Sequence, residues 1–548
     1  MNTPDGDVDD MTILYVTLSL MMLLGSFYLN SSRSVFIFAG VFTWSFLVLL
    51  GLPNSIAIFA GIVVSLCGLV LQYNPLLRRS LITDRLFDVA AKVLPTMSET
   101  EKTALEAGTV WFDGDIFSGY PNWKKLLEYK TFRLTDEELA FIDGPVEKLC
   151  AMLDDWQIQQ DRDLPAMVWT YLKNEKFFGL VIPKEYGGLG FSASGHSAVV
   201  TKIATRSIAA AVTVMVPNSL GPGELLLHYG TDEQKQNYLP KLANGIEIPC
   251  FALTGPEAGS DAGAMQSFGT VIKKKINGKN VLGISLDFNK RYITLAPIAT
   301  LIGLAFKLRD PDYLLGSEVE RGITCALLPH DIEGLTIGNR HDPMGVPFAN
   351  GPMQGKDVFI PISSIIGGEG GIGNGWRMLV ESLAAGRSIS LPSMSVGAAQ
   401  LATRVCGAYA TIREQFDTPI GRFEGVEELL ARIAGYTYMM DATRQMTCAA
   451  IDQGEKPSVL SGMVKAYLTE GMRQTLNDAM DLRAGAAIIR GPQNILSRAY
   501  SAIPIGITVE GSNVLTRSMI IYGQGAIRSH PYLLQEMTAL QSNDKDGF

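Results

Sequence analysis

The first eighty residues carry almost no polar pattern. Between residues 11 and 77 the one charged side chain is Arg33, and the apolar runs 12–29, 35–50 and 56–71 are each of bilayer-spanning length. A cleaved secretory signal would open on basic residues, whereas this chain opens with Asp5, Asp7, Asp9 and Asp10. The pattern therefore predicts two to three N-terminal transmembrane helices over residues 1–77. Only the short turn "GLPNS" separates the second and third runs, and one of the two can equally be re-entrant. Arg78, Arg79 and Arg85 follow the last run, which places everything after residue 78 on the cytoplasmic side.

Beyond the apolar segment the period changes three times. Residues 78–130, with the aromatic stretch "WFDGDIFSGYPNWKK", read as a connecting region of little regular signal. Residues 131–246 read as an α domain: "TDEE" at 135–138 and "TDEQ" at 231–234 are capping boxes, each ahead of a helical run. Over 247–366 short β-rich runs ("IPCFAL", "NVLGISLDF", "RYITLA", "TLIGLAFKL", "GITCALLP", "KDVFIPI") follow one another with Gly, Asp and Pro between them. No helix pattern intervenes, so the reading is an antiparallel sheet or barrel. From 367 to 548 helices return; Val396, Ala399, Ala402, Cys406, Tyr409 and Ile412 step by three and four along one face. The predicted class is α+β multidomain: membrane helices, α domain, antiparallel β domain, C-terminal helical bundle.

A glycine-dense stretch, "SIIGGEGGIGNGW", joins the last two domains. From Gly368 it fits G-x-G-x-x-G, the dinucleotide turn of a βαβ unit. Its neighbours are an antiparallel β domain and a helical one, so a hinge or a close backbone approach is the better reading.

Composition narrows the chemistry. The net charge of −9 and the lack of basic clusters speak against nucleic acid as a partner. The six cysteines show no C-x-x-C pair and the five histidines no metal-ligand spacing, so neither a metal site nor a disulfide framework is indicated.

Three stretches carry candidate chemistry. "CFALTGPEAGSDAG" at 250–263 ends a strand in a loop of small residues with Thr254, Ser260 and Asp261, suited to a flat ligand. In "NKRYITLA", read as a strand, Tyr292 and Thr294 share one face. "IPIGITVEGSNVLTRSM" sets one carboxylate, Glu510, between an apolar run and a Gly-Ser-Asn turn. Taken singly, each has a plain structural reading: turn hydroxyls, a core tyrosine, a helix-start carboxylate.

In this order, with "VPNSLGPGELLLHYGTDEQKQNYLPKLANG", "GKDVFIPI", "IREQF" and "VEGSNVLTRSMIIYGQGAIRSHPY", they resemble the acyl-coenzyme A dehydrogenases, most closely the membrane-associated bacterial FadE branch. The resemblance covers nearly all of the chain after residue 80. It implies FAD between domains and across a subunit interface, a fatty acyl-CoA substrate, electron-transfer flavoprotein as acceptor, a homo-oligomer, and the bacterial inner membrane as location and partner, the catalytic part facing the cytoplasm. By position, Glu510 is the implied base that starts β-oxidation by taking the α-proton. Leu253, Thr254, Gly259 and Ser260 are the implied lining of the flavin ring, and Tyr292 and Thr294 its neighbours. Arg413, Gln415 and Phe416 are implied at the pyrophosphate of a neighbouring subunit's flavin, Gly485 at its adenine end, and Ser512 beside the base.

The sequence departs from the family at Ala484-Gly485-Ala486-Ala487, where a Gly-Gly-x-Gly turn is usual, and at Gly255, where an acidic residue is common; Glu257 is the nearest. It also stops soon after "SNDKDGF", where the FadE branch continues, and so reads as truncated. An acyl-CoA oxidase and a non-catalytic membrane scaffold are the competing readings.

Overall fold

The computed structural model describes residues 32–49, 51–93, 97–130, 133–219 and 221–548. It divides into two units, residues 98–531 and a smaller one built from residues 1–97 and 532–548.

In the smaller unit, helices α1 (Ser32–Leu49) and α2 (Asn54–Tyr73) pack on one another. Gly40 and Gly61 face each other so closely that a methyl on either would strike the other's carbonyl, and Trp44 Nε1–H donates to Asn54 Oδ1 at 2.7 Å. Helix α3 (Asp84–Val93) packs with Leu533–Gln541. Phe87 there meets Phe548 edge-on at 5.3 Å, and Lys545 reaches Asp88 at 2.8 Å. Among the described residues no helix is long and apolar enough to cross a membrane. This corrects the expected transmembrane helices, and with them goes the structural ground for the inner membrane as a partner. The two helices meet through small residues, Gly40 and Gly61, while large apolar side chains such as Phe46, Phe59, Ile62 and Leu66 are exposed; the run at 12–29 lies outside the described residues.

The larger unit starts with helices the sequence reading did not anticipate. Ser98 and Glu101 form a capping box that opens α4 (Glu99–Glu106), and α5 (Phe112–Phe117) follows. The aromatic-rich stretch is packed: the Trp111 ring lies 4.9 Å from Tyr129, and that of Phe112 5.6 Å from Trp123. The helices that follow include α6 (Asp136–Phe141), α7 (Ala193–Ala204), α8 (Ile208–Met215), α9 (Pro222–Tyr229) and α10 (Asp232–Ala243). Both anticipated capping boxes are present, Thr135 with Glu138 and Thr231 with Gln234.

The seven-stranded sheet comprises β1 (Pro249–Ala252), β2 (Phe268–Ile276), β3 (Lys279–Thr294), β4 (Leu301–Arg309), β5 (Glu320–Pro329), β6 (Leu335–Ile337) and β7 (Asn350–Pro361). Strand β4 pairs with β5 along one edge and with β1 and then β2 along the other; β3, β7 and β6 follow outward from β2. The pairings of β4 with β1 and β2 are parallel, so the expected all-antiparallel sheet holds for the remaining pairs only. Asn277 and Gly278, both at positive φ, close the two-residue β2–β3 turn that the "NG" pair favours.

The glycine stretch is a turn. Gly367, Gly368 and Gly373 take positive φ, and a side chain at Gly371 would strike the Ile366 carbonyl. The stretch links β7 to α11 (Gly375–Ala385) with no βαβ unit around it.

Helices α12 (Leu391–Ile412), α13 (Glu424–Asp452) and α14 (Ser458–Arg483) pack on one another, and α15 (Leu496–Thr508) joins α14. Val396, Ala399, Ala402 and Cys406 are buried as the spacing predicts, whereas Ile412 at the helix end is exposed. Between α12 and α13, β8 (Glu414–Gln415) and β9 (Thr418–Pro419) form a minimal hairpin.

Candidate active site

Glu510 follows α15 in a left-handed backbone conformation, φ 57°, with Gly511 at φ 86° next to it. For a residue with a side chain that conformation costs roughly 1–2 kcal/mol, so the surroundings must impose it. Lys465 supplies part of that force. It lies with no exposed surface on α14, and its Nζ donates to Ile507 O (3.0 Å), Gly511 O (2.8 Å) and Asn513 Oδ1 (2.8 Å). Arg387, in the segment Gly386–Ser390, holds the other side by donating from Nε to the Glu510 carbonyl at 2.9 Å.

The Glu510 carboxylate is inserted against Gly386: a Cβ there would stand 2.8 Å from Oε1 and 2.9 Å from Oε2. Oε2 is buried without a hydrogen-bond partner. Burial pushes the acid up to about 7, against the opposing pull of Arg387 and Lys465. Lys465 itself is drawn down by burial to about 8, with Glu510 raising it. A desolvated carboxylate poised near neutrality, with one oxygen unclaimed, is chemically a general base.

The second cluster lies at the β1–β3 corner. After β1, Leu253 and Thr254 are half-buried, while Gly259 and Ser260 are exposed; the Gly255 N–H donates to Ala258 O at 3.2 Å. Tyr292 does not share a face with Thr294 by simple alternation. The β3–β7 register shifts between Lys290 and Ile293, and within that bulge Tyr292 takes φ 62° and turns its ring outward, 60% exposed. Asn350 Nδ2 ties the two residues together, donating to Tyr292 O (3.0 Å) and Thr294 Oγ1 (3.1 Å). Beside them Lys290 is buried completely and lowered by burial to about 7, with Cys325 nearby opposing the shift.

The remaining sequence candidates, apart from the half-buried Ser512, are surface groups. Arg413, Gln415 and Phe416 are exposed on the β8–β9 hairpin, whose turn residues Phe416 and Asp417 both have positive φ; the Phe416 side chain is 91% exposed. Gly485 is exposed after Ala484, a non-glycine residue at φ 47°, ψ −125°. Ser512 Oγ accepts from Leu515 N–H at 3.4 Å as a helix cap. Among the described residues no hydrogen bond joins these groups to Thr254 or Glu510.

Sequence reasoning missed Lys465, Arg387, Lys290 and Arg291. Lys465 had a signal: a lysine among Ser461, Val464, Leu468 and Met472 sits on a face that is otherwise buried. Arg387 had none in its spacing.

The donor set suits a flat redox heterocycle. The Tyr292 ring stands in the open beside a loop of small residues where a Cβ at Gly259 would meet nothing within 4 Å, and Arg291 Nε is buried without a partner. No side chain in either cluster accepts hydride, so a poised base in a chain that also offers such a surface fits a flavin-type oxidoreductase acting on a carbon acid. Three family models match in order: acyl-CoA dehydrogenase N-terminal domain at residues 139–246, middle domain at 250–358 and C-terminal domain at 373–523. The chain belongs to the acyl-CoA dehydrogenase family, oxidoreductases that act on CH–CH bonds. It is similar to a 3-(aryl)acrylate reductase of Clostridium sporogenes (strain ATCC 15579), 29% identical over 370 residues, 66% of this chain and 91% of that one. Among solved structures it resembles a glutaryl-coenzyme A dehydrogenase in complex with glutaryl-CoA, TM-score 0.64 at 25% identity, covering 73% of this chain and 98% of that one. The FAD complex of PigA shares the fold, TM-score 0.63 at 22% identity, covering 72% of this chain and all of the other (100%).

Proposed function

We propose that the chain oxidises fatty acyl-CoA to the trans-2-enoyl-CoA, the first step of β-oxidation, with Glu510 as general base. The Glu510 carboxylate is the observation that carries this reading: half-buried with Oε2 enclosed and without a partner, raised to about 7 and fixed in a strained backbone. FAD, when bound, supplies the hydride acceptor; Leu253, Thr254, Gly259, Ser260, Tyr292 and Thr294 are the residues that would hold its ring. Glu510 takes the α-proton as the β C–H pair of electrons leaves with its hydrogen, and the Cα–Cβ double bond forms. Arg387 and Lys465 keep the carboxylate aimed and partly offset its charge, which steadies the ionised base without quenching it.

Ser512 closes the turn behind the base, and Gly485 and the exposed hairpin Arg413–Gln415–Phe416 are offered to a second copy's flavin, which makes a homo-oligomer part of this reading. Electron-transfer flavoprotein is the proposed acceptor. A second reading is favoured by the raised acid, which keeps its protonated form accessible: Glu510 would deliver a proton to Cα of an α,β-unsaturated thioester while reduced FAD, when bound, would supply the hydride to Cβ, the reductive direction named for the 3-(aryl)acrylate reductase.

Glu510→Gln tests the first reading. The variant should hold FAD and bind acyl-CoA, shifting the flavin bands, while bleaching slows by roughly 10²–10⁴-fold. Bleaching at the parent rate removes Glu510 as the base. Flavin that stays oxidised with saturated thioesters, but is reoxidised by enoyl thioesters after dithionite reduction, favours the second reading.

A further inference from the structure

We propose that Lys290 and Arg291 are positioning residues that clamp loop 253–256 from β3 and so fix the corner against which the flavin ring rests; this builds on the FAD reading above. Three carbonyls of a four-residue loop are caught by two consecutive residues. Lys290 Nζ donates to Leu253 O at 2.8 Å, the Arg291 backbone N–H to Thr254 O at 3.0 Å, and Arg291 Nη2 to Pro256 O at 2.8 Å.

The geometry behind this is unusual for a strand. Successive residues of a regular strand point to opposite faces, which works against two neighbouring side chains serving one loop. The bulge between Lys290 and Ile293 removes that restriction, and the same bulge turns Tyr292 out. Arg291 links the two consequences: its guanidinium carbon stands 5.0 Å from the centroid of the Tyr292 ring while the group holds Pro256. One residue thus sets both the loop and the aromatic ring.

The burial of Lys290 argues in the same direction. An ammonium or amine with no exposed surface costs stability unless its head group is engaged, and a methionine would fill the same volume without that cost. The amine is retained for the bond it makes, and that bond ends on Leu253, the residue that leads into the loop. Neither residue touches the reacting atoms; both act through 253–256 and Tyr292.

Lys290→Met and Arg291→Gln test the clamp on the full chain, with Arg291→Lys as the conservative control. Amide hydrogen exchange of residues 254–258 is measured with and without added FAD, and FAD affinity is measured by titration of the flavin-depleted protein. Expected are exchange rates in 254–258 at least about tenfold faster in Met and Gln variants without FAD, unchanged exchange in β4 and β5, and FAD affinity weaker by about tenfold or more, largely restored in Arg291→Lys. Exchange and affinity within twofold of the parent in both variants would overturn the clamp, as would faster exchange spread evenly over the sheet, which marks a purely structural role. If Lys290→Met does not fold, Arg291→Gln carries the test. A parent that binds no FAD sinks the flavin reading instead, and the exchange rates, which need no flavin, tell that failure from failure of the clamp.

Discussion

Glu510 carries two measurable signatures beyond its effect on turnover. Its folded pKa, about 7, lies above the 4.5 of an ordinary glutamate, because burial disfavours the charged form. The stabilising contribution of a raised acid is complete below the unfolded value and is lost as pH rises through the folded one. Across that window the difference amounts to about 2–3 kcal/mol. Glu510→Gln should therefore gain stability relative to the parent between pH 5 and pH 8, measured as the difference of their urea midpoints; equal differences at both ends would show that the acid is not buried as described. In the parent, the rate of flavin reduction should climb with pH and level off above about 7, since only the ionised form accepts the proton. Lys465 offers the complementary test. Lys465→Met strips three acceptors of a buried donor and should cost about 2–4 kcal/mol, with bleaching falling further than FAD binding. In the sequence Glu510 stood out as a lone carboxylate after an apolar run, but its role as base came only from the family resemblance, since taken singly it also reads as a helix-start carboxylate. Its two cationic supports come from 45 positions before it and from a different segment, at 387, and only folding brings them together.

At the scale of elements, the β8–β9 hairpin is an instructive misfit. A two-residue loop with both φ values positive asks for Asn-Gly, yet Phe416 and Asp417 occupy it. Asp417→Gly should raise stability by about 0.5–1 kcal/mol, read from thermal unfolding, while leaving the Phe416 ring in place. A loss of stability would mean that Asp417 makes a contact worth more than the strain. The bulged end of β3 was likewise illegible in advance. Alternation along "NKRYITLA" assumes a regular strand, and nothing in those letters announces the register shift that turns Tyr292 outward. Capping boxes, by contrast, were readable because both partners lie within four residues. Where a bond closes locally the letters suffice; where β7 decides the register of β3 they do not.

At the scale of the whole molecule, domain order sets what the glycines can do. Gly368–Gly371 lies in the tight turn between antiparallel β7 and a helix, so no helix N-terminus is presented to a pyrophosphate behind a parallel strand. Neither NADH nor NADPH at micromolar concentration should raise the melting temperature or reduce bound flavin; a clear shift with either, by linkage, would contradict this. The sequence made the alternation of helical and β texture visible because each texture persists for a hundred residues. It misled at the N-terminus, where apolarity alone does not tell a lipid-facing helix from one packed on another helix through small residues such as Gly40 and Gly61.

The backbone of Glu510 has a consequence for how this chain would respond to selection. Glycine or asparagine at 510 would relax the left-handed conformation and remove a buried acid in one step. A library screened for heat resistance alone should therefore drift toward those two letters and lose its chemistry along the way. Survivors of such a screen, sequenced blind, would mark the position where endurance and turnover pull in opposite directions.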